Sequence, residues 1–532
     1  MNGVPARRGG GAAFVAAGIV LSRIFGLVRN RLLGHFLGTG EAADALTAAI
    51  RIPNFLQNMF GEGVLSASFI PVYARLLADG DKEEAGRVAG AISALLALAS
   101  SVLVLLGILL APVAIPLIAP GFTGDKRELT IVLVQIMFPG VGLLVLSAWA
   151  LGVLNSHGRF FLSYVSPVAM NVVMIAALLG FGPRLFESDG GQARLATVLA
   201  WASVVGSIAQ FVVQLPTVLR VERRLRFDLD VHDANVRTVL SNFVPVFIGR
   251  GVVQISAYVD GLLASLVAGG AVAVLGYAQV ITMLPISLFG MSVSAAELPA
   301  MSRESGSDAA INEALRSRLR DGLHQIAFYV VPSAVAFVAL GDVIGATIYQ
   351  TGKFTRGDVV WLWGVLAGSA VGLLAGTLGR LYASTWYALR DTKTPLAFAL
   401  VRVALTAVLG FVSALWVPRW LGIDARWGVA GLTASAGIAA WVEFALLRRS
   451  IRRRLGDEAS SARSVGTLWL CAGLAALPAC GVKFALGVER PLLLGLVALP
   501  LYAAVYLAAT AAFGVDEVRR VRGRIARLLG RA

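Results

Sequence analysis

The chain has 532 residues, of which 57% are hydrophobic and only 14% charged, where a soluble domain carries roughly 25% charged residues. Its polar atoms are too few to cover a water-facing surface, which excludes a soluble multidomain enzyme, a disordered chain, a coiled coil and a collagen-like chain. The 46 Lys and Arg outnumber the 31 Asp and Glu to give a net charge of +15, and the excess is spread over many short loops, which argues against nucleic-acid binding.

Apolar runs such as 91–111 and 491–513 reach the ~20 residues that a helix needs to cross a bilayer, and they lack the period-two alternation of an outer-membrane barrel. The fold class is an all-α polytopic membrane protein with about 14 transmembrane helices. The spans are expected near 12–37, 43–76 (long and broken), 88–112, 129–154, 160–183, 195–219, 237–268, 271–299, 322–349, 359–388, 395–417, 427–447, 465–486 and 491–514. The N-terminus imitates a signal peptide, with Arg7 and Arg8 before an apolar stretch. Ser22-Arg23 stands where small residues should mark cleavage, so the segment is read as a retained first helix.

Basic residues gather after alternate spans: Arg220, Arg223, Arg224 and Arg226 after the sixth, Arg316, Arg318 and Arg320 after the eighth, and Arg448, Arg449 and Arg452 to Arg454 after the twelfth. The opposite loops, such as Gly38-Thr39-Gly40-Glu41 and Ala268-Gly269-Gly270, are short and nearly neutral. The positive-inside rule then places both termini in the cytoplasm. The tail 515–532 spaces Val518, Val521, Ile525 and Leu528 among arginines, either as a basic helix on the membrane surface or as a solvated tail. Cys471 and Cys480 share one apolar segment and the four histidines are scattered, so no disulfide framework or metal site is expected.

An internal repeat organises the chain. Ile52-Pro53-Asn54-Phe55-Leu56 has a counterpart in Leu284-Pro285-Ile286-Ser287-Leu288, and Pro120-Gly121-Phe122-Thr123 in Gly352-Lys353-Phe354-Thr355. Gly38-Thr39-Gly40 pairs with Gly269-Gly270, and Leu154-Asn155-Ser156 with Tyr387-Ala388-Leu389, all at an offset of roughly 230 residues. Six spans fill that offset. The reading is an N-lobe of six spans over 1–226, a C-lobe of six over 227–456 in parallel repeat, two appended helices over 457–514 and the basic tail 515–532. Two such lobes are the architecture of an alternating-access transporter.

Ionisable side chains within a span cost about 2.5–3.5 kcal/mol each at the helix centre and mark a pathway by default. The first span holds Arg23, Arg29 and Arg31, the second Asp44, Arg51 and Glu62, and the seventh Arg250 and Asp260. Glu297, Arg380, Arg402 and Glu443 follow in later spans. The first two spans are also broken by Gly26, Pro53, Gly61 and Gly63, which lets a helix bend around a substrate. Arginine stays charged and grips phosphate oxygens in pairs, so Arg23 and Arg29 point to a phosphate or pyrophosphate anion, while Arg31 and Arg402 read as snorkelling to the interface. Asp260 either pairs with an arginine or binds a cation. No HExxH, GxSxG, Walker loop or His/Cys cluster is present, so the chain is expected not to be an enzyme and to need no cofactor. An ion gradient, the membrane potential or downhill flow is left to drive transport.

Ser22-Arg23-Ile24-Phe25-Gly26-Leu27-Val28-Arg29, Gly38 with Ala43-Asp44-Ala45, Ile52-Pro53-Asn54-Phe55-Leu56, and Gly61-Glu62-Gly63 with Ser66-Ala67-Ser68-Phe69-Ile70-Pro71 together resemble the MurJ/MviN family of lipid II flippases. The likeness continues through Ala119-Pro120-Gly121-Phe122, Asn155 to Arg159-Phe160, Gly352-Lys353-Phe354-Thr355 and Asp391-Thr392-Lys393-Thr394-Pro395, covering about residues 12 to 515. The family belongs to the MOP exporter superfamily, with two six-helix lobes and two extra C-terminal helices. The resemblance implies a substrate of undecaprenyl-pyrophosphate-linked peptidoglycan precursor, moved to the outer leaflet of a bacterial plasma membrane. It also implies that Arg23 and Arg29 hold the pyrophosphate, with Asp44 and Glu62 as cavity residues. The last two spans would form a groove for the polyprenyl tail, and Asp260 matches an acidic residue implicated in sodium binding in some members. Na+ or the membrane potential is the implied driving force, membrane lipids are the surroundings, and a monomer is expected.

The chain departs from the family pattern at three positions. Asn30 stands where the family has Asp, Gln57 where it has a cavity arginine with Arg51 near enough to substitute, and Val280 where it has an arginine in the eighth span. Two other transport readings stand beside lipid II: a different polyprenyl-pyrophosphate glycan, and the cations of a MATE-like multidrug antiporter. A third is a non-transporting scaffold.

Overall fold

The computed structural model describes residues 10–60, 62–301, 308–456, 462–486, 490–515 and 517–518. Among them all regular structure is helical, which satisfies backbone N–H and C=O groups within each segment where no water is present. The chain divides into two compact units, Met1–Ser265 and Leu266–Ala532.

The first unit contains α1 (Gly10–Leu37), α2 (Glu41–Phe60), α3 (Glu62–Ala78), α4 (Lys82–Ile118), α5 (Gly124–Ser156), α6 (Phe160–Val165), α7 (Pro167–Leu185), α8 (Gly191–Val221) and α9 (Ala234–Ser265). Helix α5 lies at its centre, packed on α2, α3, α4 and α8. Its polar side chains tie it to its neighbours. Gln210 Nε2 donates to Ser147 Oγ at 3.0 Å, Ser147 Oγ to Gln214 Oε1 at 3.1 Å, and Gln214 Nε2 to Ser166 Oγ at 2.5 Å. Such bonds replace the hydrophobic drive that is absent between helices in lipid, at about 0.6 kcal/mol each. Helix α4 turns the opposite kind of surface outward: Leu105, Leu109, Val113 and Leu117 recur every four residues and are all more than half exposed, a stripe suited to acyl chains.

The second unit contains α10 (Ala271–Pro285), a π-helical turn (Ile286–Met291), α11 (Ser292–Met301), α12 (Asp308–Ala339), α13 (Gly341–Tyr349) and α14 (Arg356–Ala388). After them come α15 (Lys393–Phe411), a second π-helical turn (Val412–Trp416), α16 (Val417–Leu421), a 3-10 turn (Ala425–Trp427), α17 (Gly428–Leu455), α18 (Ala462–Leu486) and α19 (Pro491–Ala512). Here α14 is central, and it crosses α17 backbone to backbone. A Cβ added at Gly372 would stand 2.2 Å from the Cα of Gly437, so only glycine permits the approach. Helices α18 and α19 pack on each other and dock on α12 and α13. Tyr502 and Tyr506 donate their hydroxyls to the carbonyls of Pro332 (2.8 Å) and Phe328 (2.7 Å), and Lys483 meets the carboxylate of Asp342 at 2.9 Å.

Every expected span falls on a helix or a broken run of helices. Eleven stretches among the described residues are long and apolar enough to cross a membrane, with Gly63–Ala78 as a shorter apolar helix. Helices α1, α2 and α9 are outside that set of eleven, and they carry Arg23, Arg29, Asp44, Arg51 and Asp260. The two units divide after α9, so by contact the seventh span goes with the first unit, against α2, α3 and α4, rather than opening the second.

The sequence offset recurs in backbone geometry. Left-handed residues close turns at Gly38 and Gly270, at Gly158 and Arg390, and at Gly190 and Gly422, each pair about 230 residues apart. Most of the tail 515–532, and the segment 457–461 that precedes α18, lie outside the described residues.

Candidate substrate site

The charged candidates on α2 and α9 come together within the first unit. Arg51 lies midway along α2, two residues before Pro53, and Tyr258, Asp260 and Gly261 lie in the last third of α9. Tyr258 donates its hydroxyl to the carbonyl of Arg51 at 2.8 Å, a bond that ties α9 to α2. The Tyr258 ring stands edge-on to Phe55, one turn further along α2, with centroids 5.0 Å apart.

The guanidinium of Arg51 passes over Gly261, and its Nη1 occupies space that any side chain there would fill. Both Nη1 and Nη2 are buried and have no hydrogen-bond partner among the described residues. Asp260, Tyr258 and Asp44 act on the guanidinium electrostatically, Asp260 most strongly. The result is a fixed positive charge with an acid in its field and with its donors unspent. A buried donor left unsatisfied costs about 1–3 kcal/mol, more when charged, and an incoming phosphate oxygen removes that cost.

Asp44, also on α2, is engaged within the first unit. It is fully buried near the start of α2 and forms an ion pair with Lys126 in the first turn of α5, whose ammonium also lies 4.1 Å from the centre of the Phe122 ring. Sequence reasoning missed Lys126, although it follows the turn Pro120-Gly121-Phe122-Thr123 that the repeat had marked. Tyr258 and Gly261 were missed as well; the available signal was a glycine directly after an intramembrane acid.

On α1, Arg23, Gly26 and Arg29 follow one another at three-residue spacing, which spans about 120° of the helix surface with Gly26 in the middle. Nothing lies within 4 Å of where a Gly26 Cβ would stand, so that face is open; Arg23 is exposed and Arg29 half-buried. Asn30 turns its amide back to the carbonyl of Gly26 at 2.9 Å, a bond within the helix. Gln57 and Glu62 lie on helical backbone, but their side chains, like that of Arg250, are outside the described residues.

Two acids in spans of the second unit are paired. Arg402 donates to Glu443 at 3.0 Å, across α15 and α17, rather than reaching alone to the interface, and Arg318 lies 3.5 Å from Glu297. Two sequence motifs of that unit are helix caps. Thr355 and Asp358 form a reciprocal capping box at the start of α14. Asp391 accepts from the backbone N–H groups of Lys393 (2.9 Å) and Thr394 (3.0 Å) and from the Thr394 hydroxyl (2.7 Å) ahead of α15. The bonds from Thr394 hold the Asp391 carboxyl below the usual carboxylate range.

A family described as Lipid II flippase MurJ matches residues 33–502, most of the chain and all of the α2–α9 site. The chain belongs to the MurJ family. Among its curated relatives, the Lipid II flippase MurJ of Burkholderia cenocepacia is 31% identical over 82% of this chain and 82% of its own length. The probable lipid II flippase MurJ of Rhizobium tropici is 33% identical over 81% of this chain and 79% of its own. In fold the chain is similar to a Lipid II flippase MurJ in an inward closed conformation, with a TM-score of 0.77 at 21% identity over 95% of this chain and 99% of that one. It is also similar to an inward-facing multidrug resistance MATE family transporter of the MOP superfamily, with a TM-score of 0.66 at 17% identity over 85% and 100%. Membership makes the chain a multi-pass protein of the bacterial inner membrane.

Proposed function

We propose that this chain flips lipid II, the polyprenyl-pyrophosphate-linked precursor of peptidoglycan, from the cytoplasmic to the outer leaflet by alternating access, without catalysing a covalent step. The observation that carries the reading is Arg51: a guanidinium built into a span, with room left for it by Gly261 and with both terminal nitrogens free to donate. Anion recognition is the chemistry such a group performs, and a pyrophosphate offers it paired oxygens. Arg23 and Arg29 on the open face of α1 supply further cations for the same headgroup. A MATE-like drug cation is disfavoured by this surplus of positive charge.

The departures from the family pattern fit this reading. Arg51 takes the place of the arginine absent at Gln57, and Asn30, whose amide is spent on its own helix, contributes no charge. Asp260 lies in the field of Arg51, which works against a Na+ ion beside it, so we assign the driving force to the membrane potential. Moving one negative charge outward from an inside-negative cell gains about 2.3 kcal/mol per 100 mV. Both termini lie in the cytoplasm, α18 and α19 flank the polyprenyl tail, and the chain acts as a monomer.

The test is complementation in a bacterium depleted of its own flippase. The wild-type chain sustains growth, whereas Arg51→Ala and the pair Arg23→Ala/Arg29→Ala, at equal membrane levels, do not. Growth supported by all of these variants would sink the arginine-site reading, and binding of a lipid-linked pyrophosphate glycan other than lipid II in preference would change the substrate.

A further inference from the structure

A second concave site lies where the ends of α3, α5 and α8 approach the start of α4. It is an open cleft of about 480 Å3, lined by Lys82, His157, Arg220, Glu222, Arg223 and Arg224 together with Leu77, Ser156 and Val221. One acid is among them, and it is already engaged. Glu222 is buried; its Oε2 accepts the Tyr73 hydroxyl at 2.8 Å and its Oε1 accepts the backbone N–H of Arg224 at 3.2 Å. Because the Tyr73 proton goes to Glu222, the 2.9 Å contact between that hydroxyl and His157 is made by a proton on His157 Nε2.

The cations divide into two groups. Arg87, Arg224 and Arg226 are held by nearby acids: Arg87 by Glu84 and Asp233, and both Arg224 and Arg226 by Glu83 at 3.6 and 3.8 Å. Lys82, Arg220 and Arg223 are exposed, line the same concavity and have no carboxylate within ion-pair distance among the described residues. Three unpaired cations converging on a cleft with a protein floor focus a positive potential there, which a flat basic loop does not do.

We propose that this cleft is a binding site for a phosphate-bearing anion, with Lys82, Arg220 and Arg223 gripping a phosphate or pyrophosphate group, distinct from the site at Arg51. The two arginine forks supply paired donors and the lysine a point charge. The cleft has the volume of a small-molecule pocket, so the phosphate brings a further group with it, either the glycerol headgroup of an anionic lipid or the body of a soluble phosphorylated compound.

The experiment uses the full chain. In detergent micelles, inorganic pyrophosphate is titrated by calorimetry into the wild type, into Arg51→Ala and into a triple variant, Lys82→Gln/Arg220→Gln/Arg223→Gln, made in that Arg51→Ala background. Binding by the wild type and Arg51→Ala, weakened at least about ten-fold in the triple variant, is the expected result, since each lost charge-assisted bond is worth roughly that factor. The same titration in nanodiscs of phosphatidylcholine, with and without phosphatidylglycerol, identifies the source. Competition by phosphatidylglycerol assigns the cleft to a lipid headgroup, and binding unchanged in both discs assigns it to a soluble anion. Equal affinity in the triple variant and in Arg51→Ala, with melting temperatures also equal, or no binding by Arg51→Ala, overturns the proposal. Arg51→Ala separates the two sites, so failed complementation by that variant bears on the flippase reading alone.

Discussion

The guanidinium of Arg51 rests on Gly261 so closely that a Cβ at position 261 would stand 1.9 Å from Nη1. The glycine on α9 therefore fixes where the charge on α2 sits. Gly261→Ala should abolish complementation by displacing the guanidinium while leaving the protein in the membrane. In a helix interior alanine is favoured over glycine by about 1 kcal/mol, so helix propensity cannot account for a loss. The discriminating measurement is melting in micelles of Gly261→Ala in the wild-type and Arg51→Ala backgrounds: the substitution should destabilise the first and stabilise the second.

The ion pair of Asp44 with Lys126 is enclosed, and removing one partner leaves an uncompensated charge. Lys126→Ala should lower stability by about 3–5 kcal/mol. The double variant Asp44→Asn/Lys126→Met, which removes both charges and keeps the volume, should recover most of that loss. Thermal melting of the three proteins in one detergent decides it; a double variant as unstable as the single one would show that the charges are not the cause.

His157 should make the protein acid-sensitive near neutrality. Burial pushes its imidazole below the ordinary value of 6.5; Glu222, beyond α8, opposes the shift, and Arg159, beyond α5, adds to it. Tyr73 on α3 accepts from the Nε2–H of the ring, and Lys82 at the start of α4 lines the same cleft. The unfolded chain therefore takes up a proton at higher pH than the folded one, so stability falls as pH drops below about 6.5 and levels off below the folded value. Melting temperature measured from pH 8 to 5 should show this slope in the wild type and a shallower one in His157→Gln.

Asp342 on α13 ties α18 to the rest of the second unit through Lys483 and also lies 3.5 Å from Arg356. Asp342→Asn should strand two cations at once and loosen α18 and α19. Hydrogen exchange in α18 and α19 should rise in this variant and stay unchanged in α5, which belongs to the other unit.

Much of this protein was legible in the sequence because lipid imposes a simple rule. Each long apolar run has to be a helix, and basic loops have to alternate with neutral ones, so the spans, the repeat offset and the family resemblance could be read from residue order alone. Arg23, Arg29, Arg51 and Asp260 stood out because charge inside a span is costly enough to require a reason. The sequence could not say which charges are spent and which are available. Asp44 and Arg51 look alike as intramembrane charges, yet Lys126, 82 positions away, neutralises the first, while Gly261 gives the second room and leaves its donors unused. Arg402 looked solitary until α17 brought Glu443 to it, and Lys82, Arg220 and Arg223 line one cleft only because helix ends far apart in the chain converge. Pairing and enclosure depend on distances of a few ångströms between segments remote in sequence, and helical periodicity carries no record of them; the tertiary fold alone decided them.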